Sequence, residues 1–282
     1  MSVVFDNPSV WNASDIALVT LRGEDRISFL HNFCSNDIKR LALHTTVEAY
    51  IPNIKGKCLG FVIIYQGSDE LILVTNDYKT EELVAHLNRY IITEDVEINL
   101  EHCPPCSLLT GKGIREWLQR EQPTGTLIAN NWFEQDSYWL LSDLSDLSRE
   151  QQTSLTSLSD QQVHAARIHN GTPLYGLDIT EDNLAQEVNR DQQAISFTKG
   201  CYLGQEPIAR IDALGNVHWY LVRVDNQFVN AEPNSTLTLE GQPIARIRST
   251  SPDSGLALAY VKRGYHEPQS TLETDQGVLK VI

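Results

Sequence analysis

The sequence lacks any long run of hydrophobic residues. Its longest apolar stretch is about eight residues, Cys58 to Tyr65, whereas a membrane-spanning helix needs roughly 18. The segment Met1 to Asp6 has neither the basic start and apolar core of a secretory signal nor the arginines of a transit peptide. We therefore expect no transmembrane helix and a cytoplasmic location.

Basic residues are scarce as well. The chain has 22 lysine and arginine residues against 37 aspartate and glutamate residues, so its formal net charge at pH 7 is −15. Nucleic-acid binding depends largely on cationic contacts with phosphates. The charge therefore argues against a protein whose main task is to hold RNA or DNA, although it allows a local basic pocket.

Cysteine is sparse and odd in number: Cys34, Cys58, Cys103, Cys106 and Cys201 are spread over 282 residues. A chain of this length builds a core without disulfides, so we expect reduced thiols. Cys103 and Cys106 have the C-x-x-C spacing of redox motifs and of zinc half-sites. Cys106 leads into a predicted strand, and the sequence has no second pair of this kind, so we favour a structural role.

The remaining composition is that of an ordinary globular protein, with 41% hydrophobic and 21% charged residues. Its length predicts about two domains. In the first half, short strands alternate with helices. The pattern predicts a hairpin of Leu59 to Tyr65 with Leu71 to Thr75, followed by a helix over Glu81 to Arg89 that Thr80 caps.

The sequence pattern changes twice in the second half of the chain. Residues 141–159 are rich in Ser, Asp and Leu and predict a crossing helix or loop, which is the best internal boundary. Ser159 to Gln162 matches a capping box, which predicts a helix that ends near Gly171. Beyond Gly215, short strands and turns predict a small β domain. We therefore divide the chain into 1–140, 141–215 and 216–282.

The densest group of chemically active residues follows that helix, in Lys199-Gly200-Cys201-Tyr202-Leu203-Gly204-Gln205-Glu206. A thiol lies beside a cation and between two glycines, with a carboxylate close behind. Glycines allow close backbone approach, and a neighbouring cation favours a thiolate. The pattern indicates a reactive or ligand-facing loop, and the alternative is a tight turn around an inert cysteine.

This segment resembles the K-G-C-Y-x-G-Q-E signature of the YgfZ and IBA57 family of folate-binding proteins, which is similar in fold to the glycine-cleavage T-protein, an aminomethyltransferase. The resemblance covers most of the chain and includes Leu21 to Asp37, Lys55 to Lys57, Arg167 to Pro173 and Gly241 to Arg263. It implies an α+β fold whose units surround a central channel, with a small C-terminal β-barrel.

The resemblance also implies a cofactor, partners and site residues. Tetrahydrofolate or a derivative is the expected cofactor, and iron–sulfur proteins or their assembly machinery are the expected partners, with no direct contact with nucleic acid or membrane. Cys201 is the implied functional thiol, exposed towards the channel that accepts the folate. The implied ligand contacts are Lys199, Tyr202, Gln205, Glu206, Arg210 and Glu187.

The comparison with T-proteins also implies a loss of activity. Their catalytic aspartate has no counterpart in Lys55 to Phe61, and His169 stands where they place a pterin-contacting glutamate. A positioned carboxylate contributes roughly a hundredfold or more to such proton transfers. We therefore expect an accessory protein for iron–sulfur clusters rather than a conventional enzyme. A folate-dependent one-carbon transferase and a non-enzymatic interaction scaffold are the alternatives.

Overall fold

The computed structural model describes residues 4–215 and 217–282. Residues 1–3, part of the N-terminal segment interpreted above, and Asn216, at the predicted start of the last domain, lie outside the described residues. The strands in chain order are β1 (Ser9–Asn12), β2 (Ile16–Arg22), β3 (Thr46–Pro52), β4 (Cys58–Gln66), β5 (Glu70–Asn76), β6 (Glu97–His102), β7 (Ser107–Thr110), β8 (Thr126–Asn130), β9 (Ser137–Leu141), β10 (Thr156–Ser157), β11 (Trp219–Asp225), β12 (Thr236–Leu239), β13 (Gln242–Ser251), β14 (Leu256–Lys262), β15 (Thr271–Thr274) and β16 (Gly277–Val281).

Seven α-helices lie within the described ranges, together with 3-10 turns at Leu144–Asp146 and Ala185–Val188. The helices are α1 (Arg26–His31), α2 (Thr80–Asn88), α3 (Ile114–Glu121), α4 (Arg149–Thr153), α5 (Asp160–Asn170), α6 (Asp191–Ala194) and α7 (Gln205–Leu214). None of the helices in the described part of the chain has the length and apolar character that crossing a bilayer requires.

The first sheet is antiparallel with the strand order β3-β4-β5-β2-β6. The predicted hairpin is confirmed, because β4 pairs with β5 up to Gln66 opposite Leu71. One face packs against α1 and α2 through Leu30, Leu83 and Leu87, which are buried with the inward side chains of the strands. A small sheet is stable when helices cover its apolar face in this way.

Helix α2 begins differently from the prediction. Lys79 precedes it in the left-handed region at φ 53°, and Thr80 is its first helical residue. The Thr80 hydroxyl donates to the Asp77 carboxylate at 3.0 Å. The prediction that Thr80 caps the helix is therefore wrong by one residue, although Glu81 and Glu82 do lie in the first turn, where the helix dipole favours carboxylates.

The second sheet, β10-β1-β7-β9-β8, is assembled from distant parts of the chain. Strand β1 pairs antiparallel with β7 and parallel with β10. The predicted crossing segment 141–159 thus returns to this sheet through α4 and β10. On the covered face of the sheet the indole rings of Trp132 and Trp139 meet edge to face, with ring centroids 5.1 Å apart.

The C-terminal strands form a nearly closed, barrel-shaped sheet in the order β12-β13-β14-β11-β16-β15. The short strands and turns predicted beyond Gly215 are confirmed. Asp275 joins the two edges: its backbone N–H donates to the Thr238 carbonyl at 2.7 Å, and its carboxylate accepts the Thr238 hydroxyl. Buried Leu237, Ile247 and Leu272 fill the interior.

Helix α5 connects the sheets to the barrel. Its capping box is confirmed, since Ser159 and Gln162 bond each other's backbone N–H, and Gly171 ends the helix in the left-handed region. From this helix the buried Arg167 guanidinium donates to the Asp178 carboxylate at 2.8 Å and to the Ser249 hydroxyl of β13 at 2.7 Å. One guanidinium therefore ties together a helix, the loop after it and the barrel.

Replacing Arg167 by methionine is expected to lower the free energy of unfolding by about 3–5 kcal/mol. The Asp178 carboxylate, 0% exposed, would remain buried without its partner, which costs more than the pair contributes when intact. Denaturant unfolding followed by circular dichroism measures the loss. Arg22→Met, which breaks an exposed pair with Glu70, is the control and should cost less than about 1 kcal/mol. Equal losses in both variants would contradict the assignment.

Candidate functional site

The signature segment lies against α1 and the β3–β4 turn. The Lys199 ammonium reaches into the turn after α1 and donates to the backbone carbonyls of His31, Cys34 and Asn36 at 2.6, 2.7 and 2.8 Å. The face of the Tyr202 ring lies 4.8 Å from this ammonium. Lys199 therefore anchors its loop to the first sheet through a buried, fully bonded ammonium.

Burial dominates the electrostatics of this anchor. It lowers the pKa of Lys199 and raises the pKa of the adjacent Cys34 thiol. Burial also raises the pKa of Tyr202 to about 12. Burial thus favours a neutral thiol and a neutral phenol, and the three carbonyls that accept from Lys199 offset the burial of its ammonium.

Backbone geometry holds the next part of the loop. The Leu203 N–H donates to the Asn32 carbonyl at 2.8 Å. Gly204 has φ +79°, and a Cβ placed there would lie 2.3 Å from the Asn53 carbonyl oxygen. Only glycine fits this approach between the signature loop and the β3–β4 turn.

Between these two anchors the loop presents its cysteine to solvent. Cys201 is exposed, whereas its neighbour Tyr202 is buried. Gly200 has open space on its side-chain face. A thiol held on an anchored, uncovered loop is accessible to a partner molecule or to a reagent.

The other predicted ligand contacts lie on or near α7. Gln205 and Glu206 begin this helix, and Arg210 pairs with Glu206 one turn on, with 64% and 83% of their side chains exposed. Glu187 serves a local purpose in the 3-10 turn, where it accepts the Leu184 N–H at 3.0 Å. Gln205 and Glu206 thus follow Cys201 closely in the chain. The structure places Arg210 on the open face of the helix.

A cavity of about 400 Å³ opens elsewhere, between the second sheet, the β1–β2 link and α5. Trp11 and Trp132 form an aromatic wall, with ring centroids 6.3 Å apart. The Trp11 indole N–H donates to the Asp160 carboxylate at 2.7 Å, which holds the ring in place. Such a cavity, apolar with a few polar groups, is typical of a small-molecule site.

Polar groups converge on one side of this cavity: Asp15, Asp160, His164 and Arg167. Partial desolvation at the cavity wall raises the pKa of the Asp15 carboxyl, although the residue is exposed, and the Asp160 carboxylate adds to the effect. The His164 Nδ1 accepts from the Arg167 guanidinium at 3.2 Å. Burial and that guanidinium lower the pKa of His164 to about 4, so its ring is neutral at physiological pH.

The sequence analysis did not identify this cavity. Trp11, Asp15 and Trp132 belong to no local motif, and they meet only because β1 joins a sheet built mainly from later strands. The predicted site residues of the signature loop and α7 are not among the side chains that line it.

The two cysteines of the C-x-x-C pair lie in different surroundings. Cys103 is exposed and its thiol donates to the Ser14 carbonyl at 3.0 Å, whereas Cys106 is buried in the core beside β7. Burial raises the pKa of Cys106 to about 12. All five cysteines are free, as predicted. Across residues 4–215 and 217–282, no group of three or more His, Cys, Asp or Glu side chains is arranged to hold a metal ion.

Comparison with solved structures defines the class of fold. The glycine cleavage system aminomethyltransferase T from Bartonella henselae superposes with a TM-score of 0.81, covering 99% of this chain and 86% of that chain at 15% sequence identity. The protein therefore has the fold of an aminomethyltransferase T-protein, with a barrel-shaped C-terminal sheet, as the sequence analysis predicted.

Sequence comparison defines the relatives more closely. The chain is a homologue of proteins named YgfZ and IBA57, which confirms the resemblance drawn from the signature. It is 25% identical over 214 residues to the tRNA-modifying protein YgfZ of Aliivibrio fischeri (strain MJ11), covering 72% of this chain and 67% of that protein. It is 26% identical over 275 residues to the mitochondrial iron-sulfur cluster assembly factor IBA57 of Mus musculus, covering 86% and 75%.

No family model matches the chain. The chain spans 67% of the YgfZ protein of Aliivibrio fischeri strain MJ11 and 66% of that of strain ES114.

Replacing Gly204 by alanine is expected to destabilise the signature loop. The new Cβ would meet the Asn53 carbonyl, and a left-handed alanine adds about 1 kcal/mol or more of strain. Cys201 should then react faster with a water-soluble maleimide, and the unfolding midpoint should fall. Gly200→Ala is the matched control, because a Cβ there meets no atom within 4 Å. A Gly204→Ala variant that behaves like Gly200→Ala would refute the anchoring role.

Proposed function

We propose that the protein binds a reduced folate and supports the assembly or repair of iron–sulfur clusters in other proteins, with indirect effects on tRNA modification. The observation that carries this proposal is the joint presence, on a T-protein fold, of an aromatic-walled cavity and an anchored loop that exposes Cys201. The names of the relatives support it, because they include both a tRNA-modifying protein and an iron-sulfur cluster assembly factor.

The cavity suits a folate in both shape and chemistry. A pterin is a flat ring with amino and N–H donors along one edge, so it needs an aromatic surface and acceptors. Trp11 and Trp132 supply the surface, and Asp15 and Asp160 supply carboxylates at its edge. In our proposal Asp15 accepts from the pterin, because Asp160 is already bonded to the Trp11 indole. When bound, the folate would supply one-carbon or redox chemistry.

In the proposed function, the cavity and Cys201 have separate roles. The cavity binds the folate, and Cys201 contacts the client protein or its cluster. Lys199 supports this second role indirectly, since its ammonium bonds to three carbonyls and holds the loop. Glu206 and Arg210 are exposed, and Gln205 is half-buried, on the helix that follows the thiol, where a partner would meet them. The net charge of −15 fits a protein that acts on tRNA only through other enzymes.

Folate binding is tested by fluorescence. Tetrahydrofolate, titrated without oxygen, should quench tryptophan emission saturably, because Trp11 and Trp132 line the cavity. Asp15→Asn should weaken binding by about tenfold or more, since a hydrogen bond to a charged acceptor contributes about 1.5–3 kcal/mol. Asp146→Asn, a change at an exposed residue of a 3-10 turn, is the control. Equal affinities for the two variants would place the folate elsewhere, and an absence of saturable quenching would contradict folate binding.

The role of Cys201 is tested in a deletion strain that lacks the endogenous protein. Iron–sulfur enzyme activity should be restored by the wild type, whereas Cys201→Ala at equal expression should restore less than a tenth of it. Cys103→Ala is the matched control because Cys103 is the other exposed cysteine. It should restore activity like the wild type. If Cys201→Ala also restores activity, the thiol is dispensable and the scaffold alternative is favoured.

One observation favours a second candidate function, a folate-dependent one-carbon transferase. The T-protein aspartate has no counterpart in Lys55 to Phe61, yet Asp15 places a carboxyl of raised pKa in the cavity. Such a group can take part in proton transfer. Consumption of reduced folate that depends on a second substrate and is lost in Asp15→Asn would favour the transferase over the accessory role.

A further inference from the structure

A second cavity, of about 460 Å³, lies on the barrel side of the molecule and shares no lining residue with the aromatic cavity. It is bounded by the end of α5, residues 188–193, strand β11 and the last residues of the chain. Its lining includes two arginines, Arg190 and Arg223, and the stacked rings of Tyr220 and His266, whose centroids are 3.9 Å apart.

The two arginines differ in how their charge is balanced. Arg190 makes a two-point contact with the Glu48 carboxylate, at 2.7 Å from Nε to Oε2, and the two side chains are only 11% and 8% exposed. That pair is neutral and joins the first sheet to the cavity wall. Arg223, in contrast, has no carboxylate partner among residues 4–215 and 217–282; its guanidinium donates to the His169 carbonyl.

The Arg223 side chain is also held in place before any ligand arrives. Its stem passes Gly171, where a Cβ would come within 3.6 Å of Arg223 Cδ. The contact with the last turn of α5 uses Nη1, so Nη2 and Nε remain as donors in a planar fork. Among the described side chains that line the cavity, Glu267 is the only one with a carboxylate, and it is 72% exposed at the rim beside His266. Of the charged side chains in the interior, Arg223 is thus the one without a carboxylate partner.

We propose that this cavity binds a small organic anion, whose carboxylate or phosphate group is held by Arg223 and whose body packs against Tyr220 and Leu258. An arginine fork is well matched to an oxyanion, with which it forms parallel hydrogen bonds. The volume lies in the range of small-molecule sites and exceeds what an isolated inorganic ion needs. This site does not depend on the folate proposal, since it shares no lining residue with the first cavity.

The negative net charge of the protein makes anion binding a selective test for a specific site. A protein of net charge −15 repels anions over most of its surface, so saturable anion binding requires a built site. The probes are inorganic phosphate and malonate, each compared with sodium chloride at equal ionic strength. Each active probe should raise the unfolding midpoint of the wild type by at least about 2 °C relative to chloride.

Variants then locate the site. Arg223→Gln should abolish the rise, whereas Arg246→Gln should keep it, because Arg246 is a barrel arginine stacked on Trp219 outside the cavity. Asp15→Asn should also keep it, which separates this site from the folate cavity. If only phosphate or only malonate raises the unfolding midpoint, the result identifies which class of oxyanion the site binds. If both raise it, the site accepts either class. No rise above chloride, or an equal rise in Arg223→Gln, overturns the proposal.

A second measurement covers the case in which Arg223→Gln does not fold. In the wild type, the ring resonance of His266, assigned by its loss in His266→Gln, should shift saturably as the active probe is added. The ring lines the cavity, so a bound anion changes its surroundings. A resonance that does not move at probe concentrations that raise the unfolding midpoint places the anion elsewhere and overturns the proposal.

Discussion

The buried Arg167 guanidinium is the contact on which the arrangement of the protein depends. It reaches Asp178, the Thr172 carbonyl and Ser249 of the barrel, and it also donates to the His164 ring. A desolvated cation of this kind is stable only when its hydrogen-bond donors are satisfied. Helix α5, the loop after it and the barrel must therefore keep fixed positions relative to one another. Burial and the same guanidinium lower the pKa of His164 and keep its ring neutral on the wall of the aromatic cavity. Fold and cavity chemistry thus share one residue.

Around this junction the molecule separates two candidate sites in space. The aromatic cavity is recessed between the second sheet and α5, whereas Cys201 stands on an open loop held by Lys199 and Gly204. A recess suits a small planar ligand, and an exposed thiol suits a macromolecular partner. Under the proposed function an acidic chain binds an anionic cofactor, which is possible because local geometry and not the overall charge decides each site.

Much of the fold could be predicted because the local signals are strong. The capping box at Ser159, the left-handed Gly171 and the hairpin of β4 and β5 follow from short-range chemistry. The missed elements have weak local signals. Strand β1 is four residues long and pairs with residues about a hundred positions later, and Lys79 adopts a left-handed conformation that its residue type does not favour.

The sequence by itself determined the class of fold, the secondary structure of most segments and the identity of the signature loop with its cysteine, because each depends on neighbouring residues or on a contiguous motif. Only the tertiary structure decided what these residues do in space. It turned Lys199 into a buried anchor, and it brought Trp11, Asp15 and Trp132 together as a cavity wall. The physical reason is that burial and charge balance arise from contacts between segments that are distant in the chain.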